Sequence, residues 1–227
     1  MGVAGMLAEL QIFANLSREH LKKLEEITQE IFLAKGMELF TPGDPSRGFY
    51  VVRNGSMRVY GMSPQGKEIT QEIAGSADAF AVASLFSDTY HCFAEALKES
   101  QPYLIKKKEF LDLVTADREF AVAWMRMLSL MVINLRRRLV DLTLKSPKAR
   151  IAGYLLLLAE MQGSRSVALP VPRKELSTFL GMTHETFYRT AKELEQANLV
   201  HFAGQTGEIL AQERLVEIME WTLSRAA

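Results

Sequence analysis

Residues 173–200 read RKELSTFLGMTHETFYRTAKELEQANLV, and this stretch decides how the second half of the chain folds. Helical patterns over 174–180 and 183–196 meet at Gly181 and Met182, and Thr183 suits the N-cap of the second helix. Two short helices joined at a glycine predict a helix-turn-helix. The apolar residues that recur at helical spacing give the pair one shared face, made of Leu176, Leu180, Phe187, Ala191 and Leu194.

The second helix carries polar side chains away from that apolar face. In a helix-turn-helix, this helix offers its N-terminal side chains to the major groove of double-stranded DNA. Arg189 can hold O6 and N7 of a guanine with two hydrogen bonds, and Glu185 can accept one from N4 of a cytosine. Thr183, Thr186 and Arg173 suit phosphate oxygens. The sequence therefore predicts a DNA interface made of Arg173, Thr183, His184, Glu185, Thr186, Tyr188 and Arg189.

The surroundings of the motif agree with this interpretation. Short extended segments around Gly204 and Gly207 predict a hairpin wing. The whole chain has 27 basic and 27 acidic residues, but 134–192 hold 11 basic and 4 acidic ones. This local excess makes the second half the better anion binder. The alternative is an ordinary helical hairpin with a solvated, charged face.

Upstream of the motif lies a long helical tract with a heptad pattern. Its apolar residues are separated by 4, 3, 4, 3, 4 and 3 positions. A core helix packed on its own domain would also be apolar, but three strict heptads favour a partner helix and a parallel homodimer. The tract ends at Lys145, Ser146 and Pro147, because proline disfavours helical geometry in the preceding residue. The predicted dimer seam comprises Ala121, Met125, Leu128, Val132, Leu135, Leu139 and Leu142.

The first half of the chain has a β pattern after a short helical opening and an N-cap at Ser17. Glycines and prolines fall at short intervals between β-rich segments at 49–53, 56–60 and 69–73. Such spacing predicts an antiparallel roll. We therefore expect an α+β chain with a β-roll sensor domain over 1–117, a dimerisation helix over 118–145 and a winged helix-turn-helix over 146–227.

Composition excludes several classes of protein. At 48% hydrophobic residues the chain can bury a core. The single cysteine, Cys92, can form neither an intrachain disulfide nor a four-thiolate cluster site. No apolar run approaches the ~20 residues of a membrane span, and no export signal precedes the first helix, so we expect a cytoplasmic protein. The sequence lacks the hydrolase, nucleotide-loop and metalloprotease motifs, so an enzyme is not expected.

In the order and spacing of its motifs the chain resembles the CRP/FNR family of bacterial transcription regulators over nearly its whole length. The helix-turn-helix and the run Arg150, Ile151 and Ala152 match the family's C-terminal domain. The N-terminal half matches the turn pattern of its cyclic-nucleotide-binding-like roll at Lys35, Gly36, Leu39, Phe40, Gly43, Asp44, Tyr50, Val52, Gly55, Val59, Tyr60 and Gly66.

The resemblance implies a DNA target and partners. The family's base readers match Glu185 and Arg189, which implies a TGA half-site facing an inverted TCA, about 34 Å apart in a symmetric dimer. His184 stands where the cyclic-AMP-responsive members have a second base-reading arginine, so the site need not be theirs. RNA polymerase is the expected partner if the protein activates transcription. The alternative is a regulatory ligand-binding module of the same roll type that does not bind DNA.

The resemblance breaks at the effector pocket. Members that bind cyclic AMP have a Gly-Glu pair where this chain has Ala81 and Val82, and an Arg-Ser pair where it has Tyr90 and His91. Their adenine-binding Thr-Ser pair is matched here by Leu135 and Arg136. Without that arginine a phosphate loses its strongest hydrogen bonds, so cyclic AMP is not expected. The lone cysteine likewise excludes the family's iron–sulfur branch.

What replaces the nucleotide is open at this point. The apolar segment 77–86, faced by Trp124, Met127 and Met131, suits a flat apolar ligand such as haem, with His91 or a methionine as axial ligand. In that respect the chain is similar to the haem-dependent, HcpR-like nitrosative-stress branch. The alternative makes His91 an ordinary histidine and the methionines core residues. The predicted pocket comprises Phe80, Ala81, Val82, Tyr90, His91, Met127, Met131 and Leu135.

Overall fold

A computed structural model describes residues 16–224 and, ahead of them, Gly5, Leu7 and Phe13; for 220–224 it gives the backbone alone. The chain divides into two compact units, Met1–Val132 and Ile133–Ala227, and each is treated separately below. The helical opening expected before Ser17 lies outside the described residues apart from those three. In the described part of the chain, no helix is both long enough and apolar enough to cross a membrane.

From Ser17 onward, the first unit has a capped helix followed by short strands. In helix α1, Arg18–Glu26, the side chain of the N-cap Ser17 accepts a hydrogen bond from the backbone N–H of His20, as the sequence predicts. The strands are β1 (Thr28–Glu30), β2 (Glu38–Phe40), β3 (Gly48–Asn54), β4 (Met57–Met62), β5 (Glu68–Ala74), β6 (Ala79–Phe80), β7 (Phe93–Ala96) and β8 (Gln101–Lys106), with a 3₁₀ turn at Val82–Phe86 after β6.

These strands form two antiparallel four-stranded sheets, ordered β1-β8-β3-β6 and β2-β7-β4-β5. In the first sheet Phe49 pairs with Ile105 and Tyr50 with Leu104. In the second, Val59 pairs with Glu72 on one side and with Ala94 on the other. The predicted antiparallel roll is confirmed, and its three predicted strands coincide with β3, β4 and β5 to within two residues at each end.

The side chains of β3 enter two different hydrophobic clusters, because successive side chains of a strand point to opposite faces. Tyr50 and Val52 enter a cluster that draws residues from both sheets of the roll. Phe49 and Val51 enter a second cluster with Trp124 and other residues of the helices that follow the roll. The roll is therefore buried on its inner face by its own sheets and on one outer face by helices.

Two helices follow β8: α2, Lys107–Ala116, and the long α3, Arg118–Leu144. Asp117 separates them, and its carboxylate accepts a hydrogen bond from the backbone N–H of Phe120 (3.0 Å). The boundary between the two compact units falls inside α3. A long helix is thus present over 118–144, where 118–145 was expected, and the tract ends where the sequence predicts. Ser146 caps the next helix, and Pro147 lies in its first turn.

The second unit contains the helix-turn-helix and its wing. A three-stranded antiparallel sheet has the order β10-β11-β9, and the pair β10 and β11 forms the expected hairpin. Gly163, in the left-handed conformation, ends the preceding helix. The elements are α4 (Pro147–Gln162), β9 (Ser166–Ala168), α5 (Arg173–Phe179), α6 (His184–Gln196), β10 (Val200–Ala203), β11 (Thr206–Ile209) and α7 (Gln212–Ser224).

Candidate nucleic-acid interface

The turn between α5 and α6 is compact and tied by backbone hydrogen bonds. The N–H of Met182 donates to the carbonyl of Ser177 (3.0 Å). The hydroxyl of Thr183 then accepts from the N–H of Thr186 (3.2 Å), so Thr183 is the N-cap that the sequence predicts. An N-cap of this kind satisfies one of the free N–H groups at a helix start. The first residues of α6 are therefore held in a defined place.

Two features favour glycine at position 181 in this turn. Its φ of +63° lies in the left-handed region, which favours glycine. A Cβ atom there would lie 2.6 Å from Cδ2 of Leu142 and 3.0 Å from Nη1 of Arg150. Both neighbours come from helices that precede the motif, so the turn is packed closely against α3 and α4.

The shared apolar face of the motif is confirmed. Each of its five residues is at most 7% exposed, with Phe187 and Leu194 fully buried. On the opposite side of α6, His184, Glu185 and Arg189 are exposed, and Tyr188 is 45% exposed. Burial of one face leaves the other with the polar groups that were proposed to read DNA.

The exposed side of α6 carries two pairs of side chains, and the members of each pair are four residues apart. The rings of His184 and Tyr188 meet edge to face with centroids 4.4 Å apart. Glu185 and Arg189 are also four residues apart, so they too lie on one side of the helix. Thr183 donates its hydroxyl hydrogen bond to Oγ1 of Thr186 (2.9 Å). The helix therefore presents an aromatic pair beside an acid and a guanidinium, over the first two turns.

Arg173 has a structural role that the sequence did not indicate. It is half-buried, and its Nη2 donates to the carbonyl of Gly204 in the wing (2.9 Å). Its guanidinium lies 5.0 Å from the ring centroid of Phe202 and 5.9 Å from that of Tyr188. Arg173 thus joins the wing to α6, and its proposed phosphate contact stays a prediction.

Arg138 and Arg150 lie on the helices before the helix-turn-helix and contact it. Sequence patterns did not identify these contacts. Arg138 is half-buried, and its guanidinium lies 4.3 Å from the ring centroid of Phe179. Arg150 donates from Nη1 to the carbonyls of Leu180 (2.7 Å) and Gly181 (3.1 Å). No local signal marks these contacts, because each joins residues at least 30 positions apart.

The predicted dimer seam is divided in the single chain. Met125, Val132, Leu135 and Leu139 are 55–67% exposed. Ala121 and Leu142 are half-buried, and Leu128 packs partly against the helical core of the first unit. Ile133 and Val140, which lie beside the seam, are also exposed large hydrophobics. Exposed apolar residues of this kind are typical of association surfaces, and the dimer seam stays a prediction.

The predicted effector pocket is filled by its own aromatic residues. Tyr90 is 2% exposed and stacks on Phe40 with ring centroids 3.8 Å apart. Tyr50 stacks in turn with Phe80 at 5.2 Å, and Phe80 is fully buried. Ala81 belongs to the same cluster between the sheets. Phe80, Ala81 and Tyr90 were predicted as neighbours, and here they pack with Phe40 and Tyr50 in a core where an open pocket was expected.

Hydrogen bonds fix the Tyr90 ring in this place. Its hydroxyl donates to the carbonyl of Gly48 (3.0 Å), accepts from the N–H of Arg47 (3.1 Å) and lies 3.1 Å from the hydroxyl of Tyr50. Burial raises the pKa of the Tyr50 phenol, so that phenol stays protonated. The backbone N–H of Tyr90 also donates to the carbonyl of Asp44 (2.9 Å). The residue that stands in place of the family's phosphate-binding arginine is therefore a core residue.

The remaining pocket residues do not form a haem site with these. His91 is exposed, and its Nε2 lies 2.7 Å from the hydroxyl of Ser87. Val82, Met127 and Met131 pack in the helical core of the first unit, and Leu135, 67% exposed, lies in the second. This arrangement gives the haem hypothesis no support, and that hypothesis and its alternative, an ordinary histidine and core methionines, both stay predictions. An open surface depression of about 560 Å³, lined by Arg47, Lys106 and Lys108 among others, contains none of the predicted pocket residues.

Comparisons with known proteins cover both units. The cyclic nucleotide-binding domain model matches residues 30–117, and the Crp-like helix-turn-helix domain model matches 149–218. The fumarate and nitrate reduction regulatory protein of Vibrio cholerae is 25% identical over 218 residues, which cover 93% of this chain and 87% of that protein. The CRP-like cAMP-activated global transcriptional regulator of Mycobacterium tuberculosis is 22% identical over 216 residues, 92% of this chain and 96% of that protein.

A solved structure shows the same fold. FixK2 from Bradyrhizobium japonicum superposes with a TM-score of 0.75 at 22% identity, over 85% of this chain and 97% of its own. The relatives are named as regulators, and both domain models occur here in one chain. These matches favour the DNA-binding interpretation over a ligand-binding module that lacks DNA binding. The chain belongs to the CRP/FNR family of DNA-binding transcription regulators.

Proposed function

We propose that the chain acts as a homodimer that binds an inverted repeat of the TGA and TCA type through helix α6 of each protomer. The observation that carries the proposal is the exposed pair Glu185 and Arg189 on the first two turns of α6, held by a buried opposite face. A carboxylate and a guanidinium at this spacing suit the cytosine and guanine edges of such a half-site. Arg173, Thr183 and Thr186 then position the helix against phosphates.

The exposed heptad positions of α3 support the dimer. Val132, Leu135 and Leu139 place a continuous apolar stripe on the surface of a single protomer. A second copy of the same helix covers such a stripe with knobs-into-holes packing. A twofold axis along the paired helices presents two α6 helices to one face of DNA, so half-sites should lie about one helical turn apart.

We propose that the effector of this regulator is not a cyclic nucleotide bound inside the roll. Tyr90 and Phe80 occupy the inner face with a hydrogen-bonded aromatic stack, and the described residues at that place supply no arginine for a phosphate. An HcpR-like, haem-based assignment therefore gains no support from the roll. We place the protein in the cytoplasm, with RNA polymerase as its partner at activated promoters and an effector that is not a cyclic nucleotide.

Fluorescence anisotropy with two labelled duplexes tests the DNA target. One duplex carries TGA and TCA half-sites one helical turn apart, and the other has five extra base pairs between them. The proposal expects the in-phase duplex to bind at least ~10³-fold more tightly than random DNA and the out-of-phase duplex to lose roughly tenfold or more. Equal binding to the two duplexes and to random DNA would refute it.

Replacing Leu139 by Asp tests the dimer. A carboxylate on the seam would have to be buried against a second apolar helix, so we expect the dimer to dissociate. Light scattering coupled to size exclusion measures the mass of the particle, which is 25.6 kDa for one chain. Leu157→Asp is the matched control, because Leu157 is 49% exposed but lies on α4, outside the seam. A wild-type monomer, or a dimer that both variants retain, would contradict the proposed seam.

A further inference from the structure

Side chains from the last turns of α3 contact the C-terminal end of α5, the first helix of the helix-turn-helix. Arg138 lies with its guanidinium 4.3 Å from the ring centroid of Phe179, and its Nη2 donates to the backbone carbonyl of the same residue (3.1 Å). Phe179 is the last residue of α5. Arg138 therefore makes two contacts with this helix end, one with the ring of Phe179 and one with its backbone carbonyl. A cation is also favoured at a helix C-terminus.

The next two carbonyls along the chain are held in the same way. Arg150, near the start of α4, donates to the carbonyls of Leu180 and Gly181. Leu142, one turn beyond Arg138, fills the space where a side chain at position 181 would lie. Three consecutive carbonyls, 179 to 181, are thus bound by two guanidinium groups from the preceding helices.

This attachment lies directly before the DNA-reading helix. Thr183 caps α6 two residues after Gly181, and His184 begins it. The direction in which α6 leaves the turn therefore depends on where α3 and α4 hold the carbonyls before it. Arg150 lies on α4, within the residues that the helix-turn-helix domain model matches, whereas Arg138 lies on α3, which also carries the proposed dimer seam.

From this arrangement we propose that Arg138 is a positioning residue for DNA recognition: it attaches the end of α5 to α3 and so fixes the direction in which α6 leaves the turn. The proposal rests on the proposed function, since it assumes that α6 reads DNA in a dimer. The residue acts through Phe179 and touches no base. Its effect should therefore appear in the discrimination between operator and random DNA.

The test compares three full-length variants in anisotropy titrations against the operator duplex and a random duplex. Arg138→Met keeps an unbranched stem over Phe179 but removes the charge and the donors. Arg137→Met is the control, because it removes the same charge from an exposed neighbour on the same turn. We expect Arg138→Met to bind the operator about tenfold more weakly than Arg137→Met, with binding to random DNA equal in the two. Arg138→Lys, which keeps a cation and a donor, should recover part of the loss.

Thermal melting separates positioning from folding. The expected result is a melting temperature for Arg138→Met within a few degrees of that of Arg137→Met. If Arg138→Met melts much earlier, Phe179→Leu keeps an apolar side chain but removes the π face, and it should show the same selective loss at the operator. Operator binding equal to the control, or equal losses on operator and random DNA, would overturn the role of Arg138. Failure of the wild-type chain to select the operator would instead overturn the proposed function.

Discussion

The roll and the helix-turn-helix differ in the residues that stand at the family's effector-binding and DNA-reading positions. In the roll, the place that the family resemblance assigns to a bound phosphate holds Tyr90, a 2% exposed residue stacked on Phe40. In the helix-turn-helix, the places assigned to base readers hold Glu185 and Arg189, which are exposed and polar. Both regions keep the family's backbone plan. The difference teaches that a shared fold preserves a site's position and does not preserve its chemistry.

The largest expected effect comes from Tyr90→Ala, which tests whether the roll is a packed core. Removing a buried aromatic ring leaves a cavity, so we expect the free energy of unfolding to fall by ~3–5 kcal/mol. Tyr90→Phe keeps the ring but leaves the carbonyl of Gly48 and the N–H of Arg47 without this partner, at a cost of ~1–3 kcal/mol. Urea denaturation measures both. If Tyr90→Ala is as stable as the wild type, the ring is not part of the core and the roll is open to a ligand.

Arg189→Ala should have the next largest effect, on DNA binding alone. Loss of a bidentate guanine contact should cost ~1–3 kcal/mol of operator binding and relax specificity at one base pair of each half-site. Titrations against duplexes with each half-site position changed in turn measure this. Lys192→Ala is the control, since Lys192 is an exposed cation one turn further along α6. It should weaken binding to every duplex alike, and a uniform loss for Arg189→Ala would remove that residue from base reading.

The smallest effect concerns Asp117, between α2 and α3. Its pKa lies below the ordinary value of 3.8, mainly because its carboxylate accepts from the N–H of Phe120 and also contacts His20 (2.6 Å). A folded-state pKa below the unfolded one gives stability that is present above the unfolded value and lost as pH falls through the folded one. We expect Asp117→Ala to melt a few degrees below the wild type at pH 7 and the difference to shrink below about pH 4.

Asp112→Ala serves as the comparison for this prediction, because Asp112 is exposed on α2. Melting curves recorded by circular dichroism between about pH 7 and pH 3 should show little change for it. A gap between Asp117→Ala and the wild type that stays constant over this range would mean that the carboxylate is not the group that stabilises the start of α3.

Local sequence patterns predicted most of the fold and the exposed face of α6. The N-caps Ser17 and Thr183 and the five apolar positions of the motif follow from local sequence patterns alone. Long-range side-chain contacts were not predicted. Nothing in the sequence tells that Arg138 reaches Phe179, 41 positions away, or that Tyr90 turns inward to Gly48. The packing of the predicted pocket residues was not foreseen for a similar reason, because an apolar lining and a filled core have the same composition.

Cys92 gives the chain a practical property. The thiol is 8% exposed, and burial raises its pKa to about 11, so at neutral pH it is almost wholly in the unreactive protonated form. A cysteine introduced on an exposed residue such as Arg137 or Lys192 would therefore react with a maleimide label while Cys92 does not. Spectroscopic probes can thus be attached to the dimer helix and to the reading helix in the otherwise native sequence, and the distance between them followed in solution.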